Sequence, residues 1–365
     1  MARNKRKVLF LPDWRQSNPY QTMLAQAVAE QGYAVDFADY PKARLALFRL
    51  LLARRDVGLV HLHWITPWIE SHFWSANPVK RWVKLLILLL DVRLCRLLGV
   101  KVFWTVHNLV SHESEDSLWE KRIRRGLARQ ATACFVHSNG ALPLLEHEYN
   151  TRLADKTTVV PHASYVGRYP VSGPGEIARL RKTLGISDRG LGNRDFVYLF
   201  VGIIRKYKGI DDLVTAFRSI PDSDAKLVIA GSVIAPDLRD WLNAEAAQDP
   251  RIIFREGYIP DEELPVFLAL ADAVVLPYAQ TLTSGAALLA MSYAKPLVLP
   301  ETARVYDVPG DAGAVYFDPG RLPAALSAIR KADLAAMGAF NISEARTRSW
   351  ANMGAITEAA YARHG

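Results

Sequence analysis

The sequence predicts an α/β protein made of two successive doubly wound units. Three observations carry this. Short apolar runs with β-branched residues alternate with helix-patterned segments along nearly the whole chain. The alternation is interrupted once, by Pro/Gly-rich stretches between residues 166 and 195. The length of 365 residues suits two domains at roughly 100–200 residues each.

In the first half, Val8–Leu11 reads as a buried strand ending at Pro12, and Tyr20 to Gln31 has helical spacing and stops at Gly32. Ala34–Ala38, Gly58–Leu62, Val100–Val106, Ala133–Val136 and Thr157–Val160 read as further strands, several of them following helix-like stretches. The break holds Gly167, Pro170, Gly173, Pro174 and Gly175, then a short helix over Glu176–Leu184, then Gly190 to Asp195. Beyond it, strands are expected at Phe196–Val201, Lys226–Gly231, Arg251–Phe254, Ala273–Leu276 and Pro296–Leu299. Helices are expected at Ile210–Arg218, Pro236–Ala247, Glu262–Leu270 and about Ser284–Ala294. Strands separated by helices imply parallel βαβ units, whose ligands bind beyond the carboxyl ends of the strands. With two such domains, the cleft between them is the expected site.

Composition narrows the class. Hydrophobic residues make up 50% and charged residues 22%, which excludes a disordered tail, a collagen and a coiled coil. Two cysteines, Cys95 and Cys134, make neither a disulfide framework nor a zinc pattern, so a reducing compartment is expected. Arg3, Lys5, Arg6 and Lys7 precede only a short apolar run, too short for a signal peptide. The longest later apolar run, Leu85 to Leu90, is bounded by Lys84 and Asp91 and falls far short of a membrane span. A soluble or peripheral protein is expected. The net charge of +8 points to an acidic partner: nucleic acid, a phosphorylated substrate or an anionic membrane.

Three segments bear chemistry. Gly202 to Gly209 follows a strand and carries Arg205, Lys206 and Lys208, cations suited to phosphate oxygens, against the alternative of a solvated basic loop. Leu276-Pro277-Tyr278 leads through Thr281 to Thr283-Ser284-Gly285 and an Ala/Leu-rich helix. That helix start is either an ordinary N-cap or, paired with the cationic loop, the other side of a diphosphate site. Trp104 to Glu113 places His107 and Asn108 at a strand end, with His112 and Glu113 behind, where they serve sugar hydroxyls and proton transfer or form a structural loop. No Asp-x-Asp follows a strand in a donor-binding position, and Asp211-Asp212 opens a helix, so a metal-independent reaction is expected.

In this order, Thr105-Val-His107-Asn108, Val159-Val-Pro-His162, Gly202 to Gly209, Lys226 to Gly231, Leu276-Pro-Tyr278, Ser284 to Pro296 and Ser349-Trp350 to Tyr361 resemble a GT-B glycosyltransferase of the large family four type. The resemblance covers nearly the whole chain. It is similar in particular to bacterial transferases that build exopolysaccharide on a lipid carrier, the xanthan-type β-mannosyltransferases among them. The resemblance implies two Rossmann-like domains facing a central cleft: 1–168 for the acceptor, 169–345 for the nucleotide sugar, and a closing helix over 346–365. It implies transfer of a hexose from GDP-mannose or a UDP-sugar to a lipid-linked saccharide. The implied location is the cytoplasmic face of the cell membrane, with no cofactor beyond the nucleotide-sugar co-substrate.

The implied donor-site residues are Arg205, Lys208, Tyr278, Thr281, Thr283, Ser284 and Gly285, and His107 is implied at the donor sugar. Three departures stand out. The Gly-Arg five residues before the usual Lys-Gly is absent; Ile203 stands there and Arg205 lies two places on. The glutamate pair eight apart, which grips the ribose in many members, is Thr281 and Leu289 here, so Thr281 or Tyr278 is expected to take the ribose. The glycine-rich first loop is replaced by Asp13 to Asn18. If configuration is inverted, Asp13 is the expected catalytic base and Glu113 the second choice; a retaining reaction needs neither.

Asn77 to Gly99 interleaves Lys80, Arg81, Lys84, Arg93 and Arg96 with Trp82 and many leucines, downstream of Trp64, Trp68, Phe73 and Trp74. Trp64, Lys80, Arg81, Trp82 and Lys84 are therefore expected at the acceptor or an anionic membrane surface. A buried helix with a basic edge is the competing explanation. No nucleic-acid recognition module is recognisable, so nucleic acid is not an expected partner. The missing glutamate pair leaves a second class open, a GT-B-like binding protein without catalysis.

Overall fold

The computed structural model describes residues 4–16, 18–72, 77–111, 117–187, 194–278 and 281–364. The chain divides into two compact units, Met1–His162 with Ser349–Gly365, and Ala163–Arg348. The first change of unit thus comes just ahead of the glycine-rich break rather than within it. The closing segment joins the first unit from Ser349 onward.

The first unit is built from β1 (Asn4–Leu11), α1 (Pro19–Glu30), β2 (Ala34–Phe37), α2 (Ala46–Ala53), β3 (Val57–Leu62), α3 (Thr66–His72), α4 (Pro78–Leu97), β4 (Lys101–Thr105), α5 (Ser117–Gln130), β5 (Ala133–Val136), α6 (Ala141–Tyr149) and β6 (Thr157–Val159). Its six strands are all parallel, in the order β2-β1-β3-β4-β5-β6. Helices cover a parallel sheet on both faces, so its strands read as continuous apolar runs. Val8, Leu9, Phe10 and Leu11 are accordingly buried without remainder.

The second unit repeats the plan with α7 (Pro174–Thr183), β7 (Phe196–Val201), α8 (Ile210–Arg218), β8 (Ala225–Gly231), α9 (Pro236–Gln248), β9 (Ile252–Glu256), α10 (Leu264–Leu270), β10 (Ala273–Val275), α11 (Gly285–Ser292), β11 (Leu297–Pro300), β12 (Ala314–Phe317), α12 (Leu322–Ile329) and α13 (Leu334–Thr347). Its order is β12-β11-β10-β7-β8-β9, again all parallel. These are two Rossmann-like domains, the components of the GT-B fold.

The last helix, α14 (Trp350–His364), packs on α1 of the first unit. The approach is so close that a Cβ on Gly354 would lie 2.6 Å from the Ala27 carbonyl oxygen, so only glycine fits there. Farther along α14, the buried Tyr361 hydroxyl hydrogen-bonds His61 Nδ1. The chain end is thereby tied into the core of the first sheet.

Both sheets have a point where strand order reverses: between β1 and β3 in the first unit, and between β7 and β10 in the second. At such a point the two following loops diverge to opposite faces and leave a crevice at the strand ends. A candidate site stands there in each unit.

Candidate active site

In the second unit, the loops after β7 and β10 lie side by side. Gly209, at φ +65°, packs against Pro277, and a Cβ there would lie 3.2 Å from the Pro277 carbonyl oxygen. A Cβ on Gly231, at the end of β8, would overlap the Gly202 carbonyl outright. Glycine at these positions lets the backbone close around the loop.

Lys208 points inward. Its Nζ lies 5.8 Å from the Phe200 ring centroid and 5.9 Å from that of Tyr278. Burial, helped by the Arg205 charge, pushes its ammonium down to about 8. A desolvated cation next to a second cation is costly unless an anion arrives. The third cation of the loop serves differently: Lys206 makes an exposed ion pair with Asp237 at 3.2 Å.

Ser284 caps α11, its Oγ accepting from Ala287 N at 3.1 Å, and the buried Tyr278 hydroxyl bonds the same Oγ at 2.6 Å. Thr281 Oγ1 bonds the Tyr306 hydroxyl. The hydroxyls expected to take a ribose are therefore engaged within the protein. Ser284 and Tyr278 together fix where α11 begins, beside Thr283 and Gly285.

In the first unit, β1 ends at the cis Leu11–Pro12 bond and the chain turns through Asp13. Gln21, fully buried, holds this turn: its Nε2 donates to Pro12 O at 2.7 Å and its Oε1 accepts from Trp14 N at 2.8 Å. Asn18 caps α1. The Arg15 guanidinium grips Asp13 through Nε and Nη2, both at 2.8 Å. This bidentate contact holds the Asp13 carboxyl below the usual carboxylate range, which lowers its basicity.

His107 lies with three further histidines that the motif reading did not single out, His61, His63 and His137. His162, quoted there only as part of a motif, joins them. The Tyr20 ring packs against His63, His107, His137 and His162 with centroids 5.1–5.7 Å apart. Burial holds His61, His63 and His107 well below the ordinary imidazole value and His137 down to about 4, so all are neutral near pH 7.

The hydrogen bonds fix the tautomers. His137 Nδ1 donates to Val160 O at 2.8 Å, so its Nε2 accepts from the Tyr20 hydroxyl at 3.3 Å. His63 Nδ1 faces His107 Nε2 at 3.4 Å, while His63 Nε2 is buried without a partner among the described residues. An unpaired lone pair is cheaper to bury than an unpaired N–H. The His63 proton therefore sits on Nδ1 and points at His107, whose own proton sits on Nδ1.

Trp64, expected at a membrane or acceptor surface, stacks between Trp14 at 4.9 Å and His107 at 4.3 Å. It belongs to the strand-end cluster. Lys80, Arg81, Trp82 and Lys84 stand apart on α4, with Trp82 edge-on to Trp119 at 5.6 Å. Glu113 and His112 lie outside the described residues. Among the described residues, no group of three His, Cys, Asp or Glu side chains is arranged to hold a metal. No helix among them is long and apolar enough to cross a membrane.

Residues 195–332, most of the second unit, match the family model for glycosyl transferases group 1. The chain is 28% identical over 313 residues, 85% of its length and 78% of the relative's, to a GDP-mannose:glycolipid 4-beta-D-mannosyltransferase of Xanthomonas campestris pv. campestris. This is a GT-B fold glycosyltransferase. The glycosyltransferase is also 28% identical over 302 residues, 74% of its length and 76% of the relative's, to a 2-deoxystreptamine glucosyltransferase of Streptomyces kanamyceticus. Its fold is similar to that of Alr3699/HepE of Anabaena, solved with UDP and glucose, at a TM-score of 0.72, 16% identity and coverage of 98% and 100% of the two chains. It is likewise similar to WaaG, a glycosyltransferase involved in lipopolysaccharide biosynthesis, at a TM-score of 0.62, 15% identity and coverage of 97% and 98%.

Proposed function

We propose that the glycosyltransferase moves mannose from GDP-mannose to a lipid-linked saccharide in cell-surface glycan synthesis. The observation that carries the donor half is the buried Lys208 beside Arg205 at the β7/β10 reversal, next to the start of α11. Two cations and a helix N-terminus complement a diphosphate and stabilise it as it leaves, so the reaction proceeds without a metal. The choice of GDP-mannose over a UDP-sugar, and of a glycolipid acceptor, draws on the Xanthomonas relative.

Roles in the first unit follow from the chemistry of its side chains. Neutral His107, carrying its proton on Nδ1, donates a hydrogen bond to the donor sugar and is no base. If the product is inverted, Asp13 takes the acceptor hydroxyl proton. Its pairing with Arg15 orients the carboxylate at some cost in basicity. The cationic, apolar face of α4 rests on the anionic inner surface of the cell membrane, which holds the lipid-linked acceptor.

Calorimetry with GDP-mannose, UDP-glucose and UDP tests the donor, and NMR of the product from a lipid-linked acceptor tests the transfer. Tight binding of GDP-mannose and turnover in EDTA are expected. UDP-glucose binding in preference would overturn the donor assignment. A donor that binds without ever being turned over would favour a binding protein.

A further inference from the structure

A pocket of about 360 Å³ opens in the first unit between the start of α2, Trp68 of α3 and the first half of α4. Trp68, Val83 and Ile87 give it apolar walls, and Arg44, Lys80 and Lys84 stand in the same lining with one acid, Asp91, whose carboxylate accepts from Leu47 N and Phe48 N. Its charge is placed against the ordinary rule. The first turn of α4 carries no acid, and Lys80 and Arg81 sit at the positive end of the helix dipole, where carboxylates are normally found. Three cations against one carboxylate leave the lining net positive.

Beside that pocket, α4 exposes Val79 (70%), Trp82 (53%), Val83 (50%) and Leu86 (63%), with Leu90 one turn on. Steps of three and four residues place these on one face of a 20-residue helix about 30 Å long. An apolar stripe, an apolar cavity opening beside it, and cations at the cavity together match an amphiphile with an anionic head.

We infer that this pocket binds one anionic phospholipid, with its phosphate on Lys80, Lys84 and Arg44 and its first chain carbons against Val83, Ile87 and Trp68. The inference rests on the membrane-facing part of the proposed function and adds a defined site to a general surface.

The test uses the full chain with two kinds of probe. Vesicles of phosphatidylcholine with and without phosphatidylglycerol report surface association. Monomeric short-chain phosphatidylglycerol, short-chain phosphatidylcholine and inorganic phosphate, titrated by calorimetry, report the pocket. Short-chain phosphatidylglycerol is expected to bind at least tenfold more tightly than the other two. Val83→Trp fills the pocket at a half-exposed position without changing charge, and adds an interfacial aromatic. It should abolish monomer binding and leave vesicle association intact. Lys80→Gln with Lys84→Gln should weaken vesicle association roughly thirtyfold.

No binding of the monomeric lipid, or binding unchanged by Val83→Trp, overturns the pocket, and equal binding of inorganic phosphate overturns the lipid. If vesicles still bind in those cases, the peripheral reading stands and only the site falls. If anionic vesicles do not bind either, both fall.

Discussion

The imidazole of His107 lies flat on the indole of Trp64, with centroids 4.3 Å apart and planes 9° apart. With His63 at one edge nitrogen, the stack fixes both the plane and the tautomer of His107. Trp64 is itself held by Trp14, from the loop after β1. The loops after β1, β3 and β4 thus act together at one imidazole.

Trp64→Ala should therefore loosen His107 without touching the donor diphosphate. Aromatic contacts of this kind are worth about 0.5–1.5 kcal/mol beyond area burial. The expected result is a fall in kcat of about tenfold with GDP affinity unchanged, measured by steady-state kinetics beside calorimetry.

His137 makes the first unit acid-labile. Its folded value, about 4, lies below the ordinary imidazole value, so the unfolded chain binds the proton first as pH falls. Its contribution is complete above about pH 6.5 and is lost toward pH 4, a change of about 3 kcal/mol. His137→Asn keeps a donor for Val160 O but does not titrate. The stability gap between parent and variant in urea should be widest near pH 7 and close toward pH 4.

Asp91 works in the opposite sense. Its buried carboxylate, on α4, accepts from Leu47 N at 3.0 Å and Phe48 N at 2.7 Å, capping α2 from another helix. Burial pushes it up to about 6. The folded state therefore holds a proton that the unfolded chain has released, and stability falls as pH rises from about 4 to 6. Asp91→Asn, which keeps an acceptor, should remove this slope of about 3 kcal/mol. Asp91→Ala, which orphans two buried N–H groups, should cost about 2–5 kcal/mol at any pH. Urea midpoints across pH 4 to 8 distinguish the two.

Asp13→Asn should cut turnover by about 10²–10⁴-fold with donor affinity little changed if the reaction inverts configuration. Because Arg15 holds the carboxyl low, the acid limb of kcat should fall below the ordinary carboxylate range. Arg15→Ala should move that limb upward. A pH–rate profile of parent and variant decides it.

The alternation of strands and helices was legible because a parallel sheet buries both faces of each strand, and Phe196–Val201 stands in the structure as read from its apolar run. The loop Gly202 to Gly209 was legible for the same reason: its glycines and cations follow a strand directly. The histidine cluster was not. His61 belongs to β3 and His63 follows it, His107 follows β4, His137 follows β5 and His162 follows β6. Only the parallel register, with His61 level with Phe10 and Phe103, brings them to one end of the sheet. The one local signal was His61-Leu-His63-Trp64 closing an otherwise apolar strand. Asp91 read as a charge that ends an apolar run, whereas its role is set by α2, a helix the sequence reading did not foresee. Nor did the sequence show that the Tyr278 and Thr281 hydroxyls bond Ser284 and Tyr306, because those partners are set by how the loops fold back on one another.

The central claim is that Lys208, as an ammonium, holds the donor diphosphate, and calorimetric titration of GDP from pH 6.5 to 9.5 tests it most directly. With Lys208 near 8 in the free protein, affinity should be level below that pH and fall by up to tenfold per unit above it. Lys208→Ala should bind about 30- to 1,000-fold more weakly at pH 7 and lose this dependence, since breaking one partner of such a contact costs roughly 2–5 kcal/mol. Equal affinity of parent and variant at pH 7, or a parent affinity level through pH 9.5, would contradict the account.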